Sequence, residues 1–381
     1  MNVYLYIKNF PAAGNPIVTG TIKAVHGLAV ELVSCGVEVK VICEGQENSS
    51  VKTPAGYEIK CFDGKRGIFP LSLPEDLKSF FRNTYKQNTL VILNGIFNPP
   101  VYKLSRYLNS LEIGYIFAPH GIYHPETFKK NRHFKWPYWY FFEKYMLNRA
   151  KTIQLLDCNG TEYLRKLGVL TPVIQIENGF FDNEVISADD LIWKDNEVIQ
   201  ILFFGRIDIH TKALDILLEA ISRIRNSTKF HLTIQGPDWG NEKRKLIKQI
   251  SRLKIKELIS LKDPEYCLAP TEVIATYDIF CMPSRHEGFG LSALEAMVAA
   301  RVLLVSNTTG IATHVAASGC GVVVEPEVCS IMEGFETLFK QRNLWQQMGM
   351  QGREYALNTL QWSSIAKRAV VEYQRLIRQQ L

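Results

Sequence analysis

Two short stretches combine residue types that bind phosphates and hydroxyls. The first is Arg-His-Glu-Gly-Phe-Gly-Leu-Ser-Ala-Leu-Glu-Ala, residues 285–296, behind an apolar run and Pro283-Ser284. Gly288 and Gly290 permit tight backbone turns that a side chain would block. Free amides at the start of the following helix then face outward, an anion site suited to a diphosphate. Glu287 precedes the loop and Glu295 lies in the first turns of the helix. Ionised carboxylates only accept hydrogen bonds, so one can take sugar hydroxyls and the other ribose hydroxyls. An ordinary helix start with one exposed Glu is the plainer alternative. The glycine loop behind a strand, and a second basic motif elsewhere, weigh against it. Gly288-x-Gly290-x-x-Ala293 also loosely matches a dinucleotide fingerprint, which expects an acidic residue about 20 positions on. That region reads Val305-Ser306-Asn307-Thr308-Thr309, with no carboxylate, which argues against a nicotinamide or flavin enzyme.

The second stretch runs from Leu202 to Asp215. An apolar strand ends in Gly205-Arg206, a short loop follows, and Lys212 opens a helix. Arg offers a planar fork for phosphate oxygens and Lys a mobile point charge. Together they can neutralise charge developing on a departing diphosphate. Two solvated surface cations are the bland reading; the position at a strand's C-terminal end favours the site.

The elements that must position these groups alternate along the chain. Val3–Ile7, Glu38–Cys43, Thr89–Leu93, Gly114–Ala118 and Lys151–Leu155 read as buried strands, and Thr21–Cys35 and Phe134–Arg149 as helices. The second half restarts the pattern. Val198–Phe204, Phe230–Ile234, Asp278–Met282, Val302–Val305 and Val322–Val324 read as strands, with helices over Ala213–Arg225 and Leu291–Ala299. Such alternation predicts parallel sheets wrapped by helices. The expectation is α/β, two Rossmann-like doubly wound domains facing each other across a cleft, where ligands of such sheets bind. The boundaries expected are 1–182, with a C-terminal helix 362–381 packing back on it, and 183–361. The acidic, irregular stretch Asp182–Asn196 is the expected linker.

Composition agrees with this. The 381 residues, 46% of them hydrophobic, suit about two domains of 150–200 residues. The net charge of +6 fits a phosphate-bearing partner or an anionic membrane surface and is too mild to indicate nucleic acid. Eight cysteines include no C-x-x-C pair, several lie in apolar runs, and no Cys/His cluster has metal spacing. Reduced thiols in a cytoplasmic protein, without a metal site, are expected. Met1–Ile7 lacks a basic n-region and reads as a first strand rather than a signal peptide, and no stretch of about 18 apolar residues exists.

Together the motifs resemble those of the GT-B glycosyltransferases of family 4, a group of retaining enzymes. Glu287–Glu295 is similar to the family's E-x7-E motif, and Gly205-Arg206 with Lys212 to its G-R…K-G motif. Ala118-Pro119-His120-Gly121 resembles its His-Gly step, and Ile176-Glu177-Asn178-Gly179 its P-N-G turn. The resemblance spans most of the chain. It implies that the C-terminal domain binds a nucleoside-diphosphate sugar and that the N-terminal domain is the acceptor side. Arg206 and Lys212 would grip the diphosphate, Glu295 the ribose and Glu287 the donor sugar, with the Phe289-Gly290-Leu291 backbone on sugar hydroxyls and phosphate. His120 would sit at the reaction centre. The Gly14-Asn15-Pro16 loop would lie by the phosphate and acceptor, and base contacts near Leu261–Cys267. Transfer would retain anomeric configuration, with the leaving phosphate helping to deprotonate the acceptor. No cofactor is implied and no metal, which agrees with the lack of an Asp-x-Asp motif at a strand end. UDP-glucose or another UDP-sugar is the expected donor because that class is common in the family; GDP-mannose stays open. The acceptor class is a saccharide or lipid-linked glycan, in polysaccharide or cell-envelope glycan synthesis. A nucleotide-sugar epimerase of the same fold and a catalytically silent sugar-nucleotide-binding protein are the alternatives.

The sequence departs from the family pattern in three places. Only Gly14 precedes Asn15 where two glycines are usual, Ala213 follows Lys212 in place of Gly, and His314 stands where a Glu is common. Residues 128–142 interleave basic and aromatic side chains, a pattern that lies in a bilayer interface or packs its rings inward. Peripheral contact with a membrane's inner face is the corresponding expectation.

Overall fold

The computed structural model describes residues 1–12, 14–15, 19–64, 73–84, 88–121, 123–193 and 197–378. They form two compact units, Met1–Gly179 with Trp362–Leu381, and Phe180–Gln361.

In the first unit β1 (Asn2–Tyr6) leads to α1 (Gly20–Ser34), β2 (Glu38–Gly45), β3 (Ser49–Lys52) and β4 (Glu58–Asp63). Then come α2 (Glu75–Thr84), β5 (Thr89–Asn94), α3 (Pro99–Ser110), β6 (Tyr115–Ala118), α4 (Pro125–Lys129) and α5 (Arg132–Tyr138). A π-helical turn, Trp139–Glu143, passes into α6 (Lys144–Arg149), β7 (Thr152–Leu155), α7 (Gly160–Lys166) and β8 (Val173–Gln175). The sheet order is β3-β4-β2-β1-β5-β6-β7-β8. Every pairing is parallel except β3 with β4. The central strands β5 and β6 are buried at every residue, the signature of a parallel sheet covered on both faces.

In the second unit β9 (Ile199–Phe204) is followed by α8 (Leu214–Ile224), β10 (Phe230–Gln235), α9 (Glu242–Leu253), β11 (Ile259–Lys262) and α10 (Pro270–Ile274). The chain continues through β12 (Ile279–Met282), α11 (Leu291–Val298), β13 (Val302–Ser306), α12 (Ala312–Ser318), β14 (Gly321–Val324), α13 (Val328–Lys340) and α14 (Trp345–Thr359). Six parallel strands run β11-β10-β9-β12-β13-β14. The chain then returns to the first unit as α15 (Trp362–Arg378), which packs on α1. The contact is tight. A Cβ on Gly27 of α1 would lie 2.2 Å from the buried Trp362 ring, so only glycine fits.

Two expectations are corrected. The stretch Asp182–Asn196 is not a free linker as far as it is described. It forms single helical turns at Asp182–Glu184 and Ala188–Asp190 and is fastened into the second unit. The Ile186 carbonyl accepts from Arg353, and the Arg301 guanidinium stacks 3.9 Å from the Trp193 ring. Residues 194–196 lie outside the described residues, as do 379–381 of the expected last helix. The helix expected over 134–149 is also not one helix. It starts at Arg132 and widens into a π turn in which the Lys144 amide bonds the Trp139 carbonyl. Pro137 has no N–H and so weakens the α-ladder just before that turn. The extra residue keeps Trp139 and Glu143 buried on one side while Tyr140 and Phe141 stay out.

Candidate functional site

In the second sheet β9 leads outward to β10 and β11 on one side, whereas β12 returns to β9's other edge. The strand order reverses between β9 and β12, and ligands of open α/β sheets bind outside the carboxyl ends of the strands at such a point. Both sequence motifs are the loops leaving these two strands.

The loop after β9 is held by its neighbours. The Gly205 amide donates to Gln235 at 3.0 Å and Ile207 to Pro237 at 2.9 Å. This second bond brings up Trp239, whose ring lies 4.7 Å from the Arg206 guanidinium. A cation on an indole face is oriented without being neutralised. Asp208 accepts from the Thr211 amide and hydroxyl at 3.1 and 3.0 Å, and its carbonyl accepts from the Lys212 amide at 2.9 Å. Ala213 is left-handed, with φ of 54°. The departure from glycine noted in the sequence therefore falls where an L-residue costs about 1–2 kcal/mol.

The loop after β12 is tied to the first. Arg285 holds Asp215 in a two-pronged ion pair at 2.8 and 2.7 Å and donates to the His210 carbonyl at 2.8 Å. Its amide donates to Thr211 at 3.0 Å. The Glu287 carboxylate pairs directly with the Lys212 ammonium. Burial alone would raise Glu287, but Lys212, with His286 and Arg206 behind it, outweighs this and holds the carboxyl below its ordinary value. Backbone bonds Glu287 to Thr308 at 3.2 Å and Ile311 to Phe289 at 2.8 Å lace the loop to the one after β13. Gly288 is half-buried in this loop, and Phe289 is buried with its ring 5.9 Å from His314. His314, which replaces a more usual Glu, also meets the Tyr355 hydroxyl at 3.1 Å.

Gly290 caps α11 in a left-handed conformation, φ 104°, and has no side chain of its own to bond the helix's first amides. A Cβ there would lie 3.0 Å from the Met282 sulfur. Leu291 therefore opens a helix whose amide end carries partial positive charge. Glu295, buried on the second turn of α11, completes the set. Sequence reasoning assigned no role to Trp239, Arg285 or Asp215. Leu261 lies on edge strand β11, and the loop that follows carries the exposed Tyr266 and Leu268.

The first unit's candidates lie at its own strand ends. Asn94 ends β5, and its amide nitrogen donates to the Tyr6 and Ile92 carbonyls at 3.0 and 3.2 Å. Its oxygen thus faces His120 Nε2 at 2.6 Å, so Nε2 carries the proton. His120 Nδ1 is buried and finds no partner among the described residues. Burial pushes this imidazole down to about 4, so it is neutral at pH 7. His120 is itself left-handed, φ 54°, which aims its ring back toward β5. Gly14 and Asn15 form a turn after β1, with the Asn15 amide on the Ala12 carbonyl at 3.0 Å; Pro16 lies outside the described residues. Among the described residues no group of three or more His, Cys, Asp or Glu side chains could hold a metal ion.

Residues 190–355, most of the second unit, match the family model of glycosyl transferases group 1. The MMP alpha-(1->4)-mannosyltransferase of Mycolicibacterium hassiacum is 26% identical over 220 residues, 55% of this chain and 47% of that protein. The GDP-mannose:cellobiosyl-diphosphopolyprenol alpha-mannosyltransferase of Komagataeibacter xylinus is 29% identical over 156 residues, 41% of this chain and 38% of that protein. The chain thus spans less than half the length of these curated relatives. The crystal structure of Anabaena Alr3699/HepE in complex with UDP and glucose superposes with a TM-score of 0.73, covering 98% of this chain and 100% of that one at 14% identity. That likeness is one of fold: the two parallel-sheet units are those of the GT-B architecture.

Proposed function

We propose that this chain is a glycosyltransferase that moves a hexose from a nucleoside-diphosphate sugar to a hydroxyl of a saccharide or lipid-linked glycan. The observation that carries the reading is the convergence of Arg206, Lys212, Glu287, Glu295 and the amide end of α11 on one strand-order reversal. The match of residues 190–355 to glycosyl transferases group 1 supports it.

On this reading the diphosphate lies on the amides of α11, with Arg206 and Lys212 taking its oxygens. Glu295 accepts from the ribose hydroxyls and Glu287 from the donor sugar. Lys212 and Glu287 neutralise each other before the donor arrives. Binding exchanges that pair for phosphate on the lysine and hydroxyls on the carboxylate, so neither charge is left buried alone. In the transfer step the bond from the anomeric carbon to the diphosphate oxygen breaks and the acceptor oxygen bonds that carbon on the same face. The acceptor's proton passes to the leaving diphosphate oxygen. Arg206, Lys212 and the helix end stabilise the charge that develops there, so the reaction needs no metal. His120, neutral and with Nδ1 bare, is suited to accept a hydrogen bond from a sugar hydroxyl. UDP-glucose is the first donor to test. GDP-mannose is the second reading, since the Komagataeibacter relative is named for it.

Product analysis after mixing the protein with donor sugars and saccharide acceptors tests the proposal. Transfer with retained configuration supports it. An isomerised donor indicates an epimerase, and unchanged donor despite binding indicates a silent binding protein; either result overturns it. Activity that survives EDTA is expected, and its loss would overturn the metal-free mechanism.

A further inference from the structure

The segment 127–151 carries seven lysines and arginines against one carboxylate, Glu143, so its formal charge of +6 equals that of the whole chain. Glu143 is not part of its surface. It is fully buried, accepts from the Tyr123 hydroxyl at 2.7 Å and the Phe97 amide at 2.9 Å, and burial raises it to about 7. The exposed charge of this segment is therefore wholly positive.

The same segment presents aromatic rings to solvent. Phe134, Trp136, Tyr140, Phe141, Phe142 and Tyr145 are all exposed, Phe141 at 72% and Tyr140 at 64%. These rings cannot turn inward, because the inner side of α5, the π turn and α6 is occupied. Tyr138, Trp139, Glu143, Met146 and Leu147 fill it, with Trp139 packed on Tyr123 and Phe128 at 5.2 and 5.6 Å. The outer rings are braced in turn, Trp136 stacking on Tyr140 at 5.8 Å and Phe134 on the buried Tyr138 at 5.9 Å. Beside them lies a cavity of about 290 Å³ between Tyr123, Phe128, Trp136 and Tyr163, with Lys129, Arg132 and Lys166 among its lining.

We propose that this face docks on an anionic lipid bilayer, its rings entering the interfacial layer and its cations meeting headgroup phosphates. A contiguous aromatic surface of this kind marks an interaction site. Trp and Tyr favour the boundary between acyl chains and water, where ring and polar tip are both accommodated. The surrounding cations select negatively charged headgroups. The cavity is aromatic inside and carries the Arg132 cation, with Lys129 and Lys166 beside it paired to Glu126 and Glu162, and it has room for a headgroup phosphate next to the rings. No helix among the described residues is long and apolar enough to cross a membrane, so the contact is peripheral. The proposal stands independently of the transfer reaction.

Vesicle flotation of the full chain tests it, using phosphatidylcholine alone and phosphatidylcholine with about a third phosphatidylglycerol. Wild type should float with the anionic vesicles only. Tyr140→Ser/Phe141→Ser and Lys130→Glu/Arg132→Glu should each cut the bound fraction by about tenfold or more. These side chains are exposed, so both variants should keep the wild-type Tm and any donor-induced stabilisation, which separates loss of docking from loss of fold or donor site. Equal flotation of wild type and both variants, or no flotation of wild type, overturns the proposal. So does a wild-type dimer that Tyr140→Ser/Phe141→Ser converts to monomer without any flotation, which would make the face a self-association surface.

Discussion

The two units place ligand-binding groups at equivalent strand ends but prepare them in opposite ways. In the second unit the groups are charged and paired. Arg285 clamps Asp215 across two loops, Lys212 holds Glu287, and Arg206 rests on Trp239. In the first unit they are neutral and desolvated: Asn94 fixes His120, and burial keeps the imidazole in its uncharged form. Partly buried charges that are each held by a partner would suit a diphosphate, which can take over the pairing. A buried neutral histidine offers only directional hydrogen bonding, which suits a hydroxyl. On the proposed reading one unit suits an anion and the other an uncharged partner.

The largest expected effects test the charged side. Lys212→Ala and Glu295→Ala should each lower kcat/KM for transfer by about two orders of magnitude or more, as for loss of a transition-state contact. Wild-type rates in both would remove the site. Arg285→Ala touches no ligand on this account and acts by loosening Lys212 and Glu287. A loss of about tenfold is expected, mainly in kcat, with a double-mutant cycle showing Arg285→Ala and Asp215→Ala to be non-additive.

The packing of the first unit gives the next effect in size. Gly27→Ala forces a Cβ into Trp362 and should lower stability by about 1–3 kcal/mol in a denaturant titration. Unchanged stability would mean that α15 is not held as described.

The smallest effect is in pH dependence, where two groups act with opposite sign over overlapping windows. Glu143 is raised from 4.5 to about 7, so it favours the fold at acid pH, and that stability is lost as pH rises through 7. His120 is lowered from 6.5 to about 4, so its stability is present above 6.5 and lost as pH falls toward 4. Glu143→Gln, which keeps the hydrogen bonds to Tyr123 and Phe97, removes the contribution that falls between 4.5 and about 7, so stability should rise more steeply with pH across that range than in wild type. An unaltered profile would contradict the burial assigned to Glu143.

The contrast also explains what the sequence made legible. Strands β1, β5 and β9 carry the apolar runs Val3–Tyr6, Leu90–Leu93 and Ile201–Phe204 because both faces of a parallel sheet are covered, and such runs can be read directly. Edge strands β3 and β11 are short and largely polar, and they form because a neighbour offers them hydrogen bonds. The π turn is hidden because its aromatic residues fit a 3.6-residue period on either side of it. Asp182–Asn196 reads as irregular because what holds its described part lies far along the chain: Arg353 on the Ile186 carbonyl, Thr271 on the Glu184 carbonyl, Gln361 on Asp182 and Arg301 on Trp193. At the site, Arg206 and Glu287 stand out as charges beside Gly205 and Gly288 in the loops that leave two strands, and Lys212 and Glu295 follow from their places at the next helices. Nothing near Asp215 in sequence marks its pairing with Arg285, 70 residues further along the chain. Trp239 follows Gly236-Pro237 at the end of β10, a turn signal next to the strand-order reversal that could have pointed to it. The Asn94–His120 pair joins two strands by a hydrogen bond that no local pattern encodes.

Thermal unfolding with a panel of UDP-, GDP- and ADP-sugars, run on wild type, Lys212→Ala and Glu295→Ala, tests the central claim most directly. The account predicts that at least one sugar nucleotide raises the wild-type Tm and that the gain is largely lost in both variants. No shift with any donor, or the same shift in all three proteins, would contradict it.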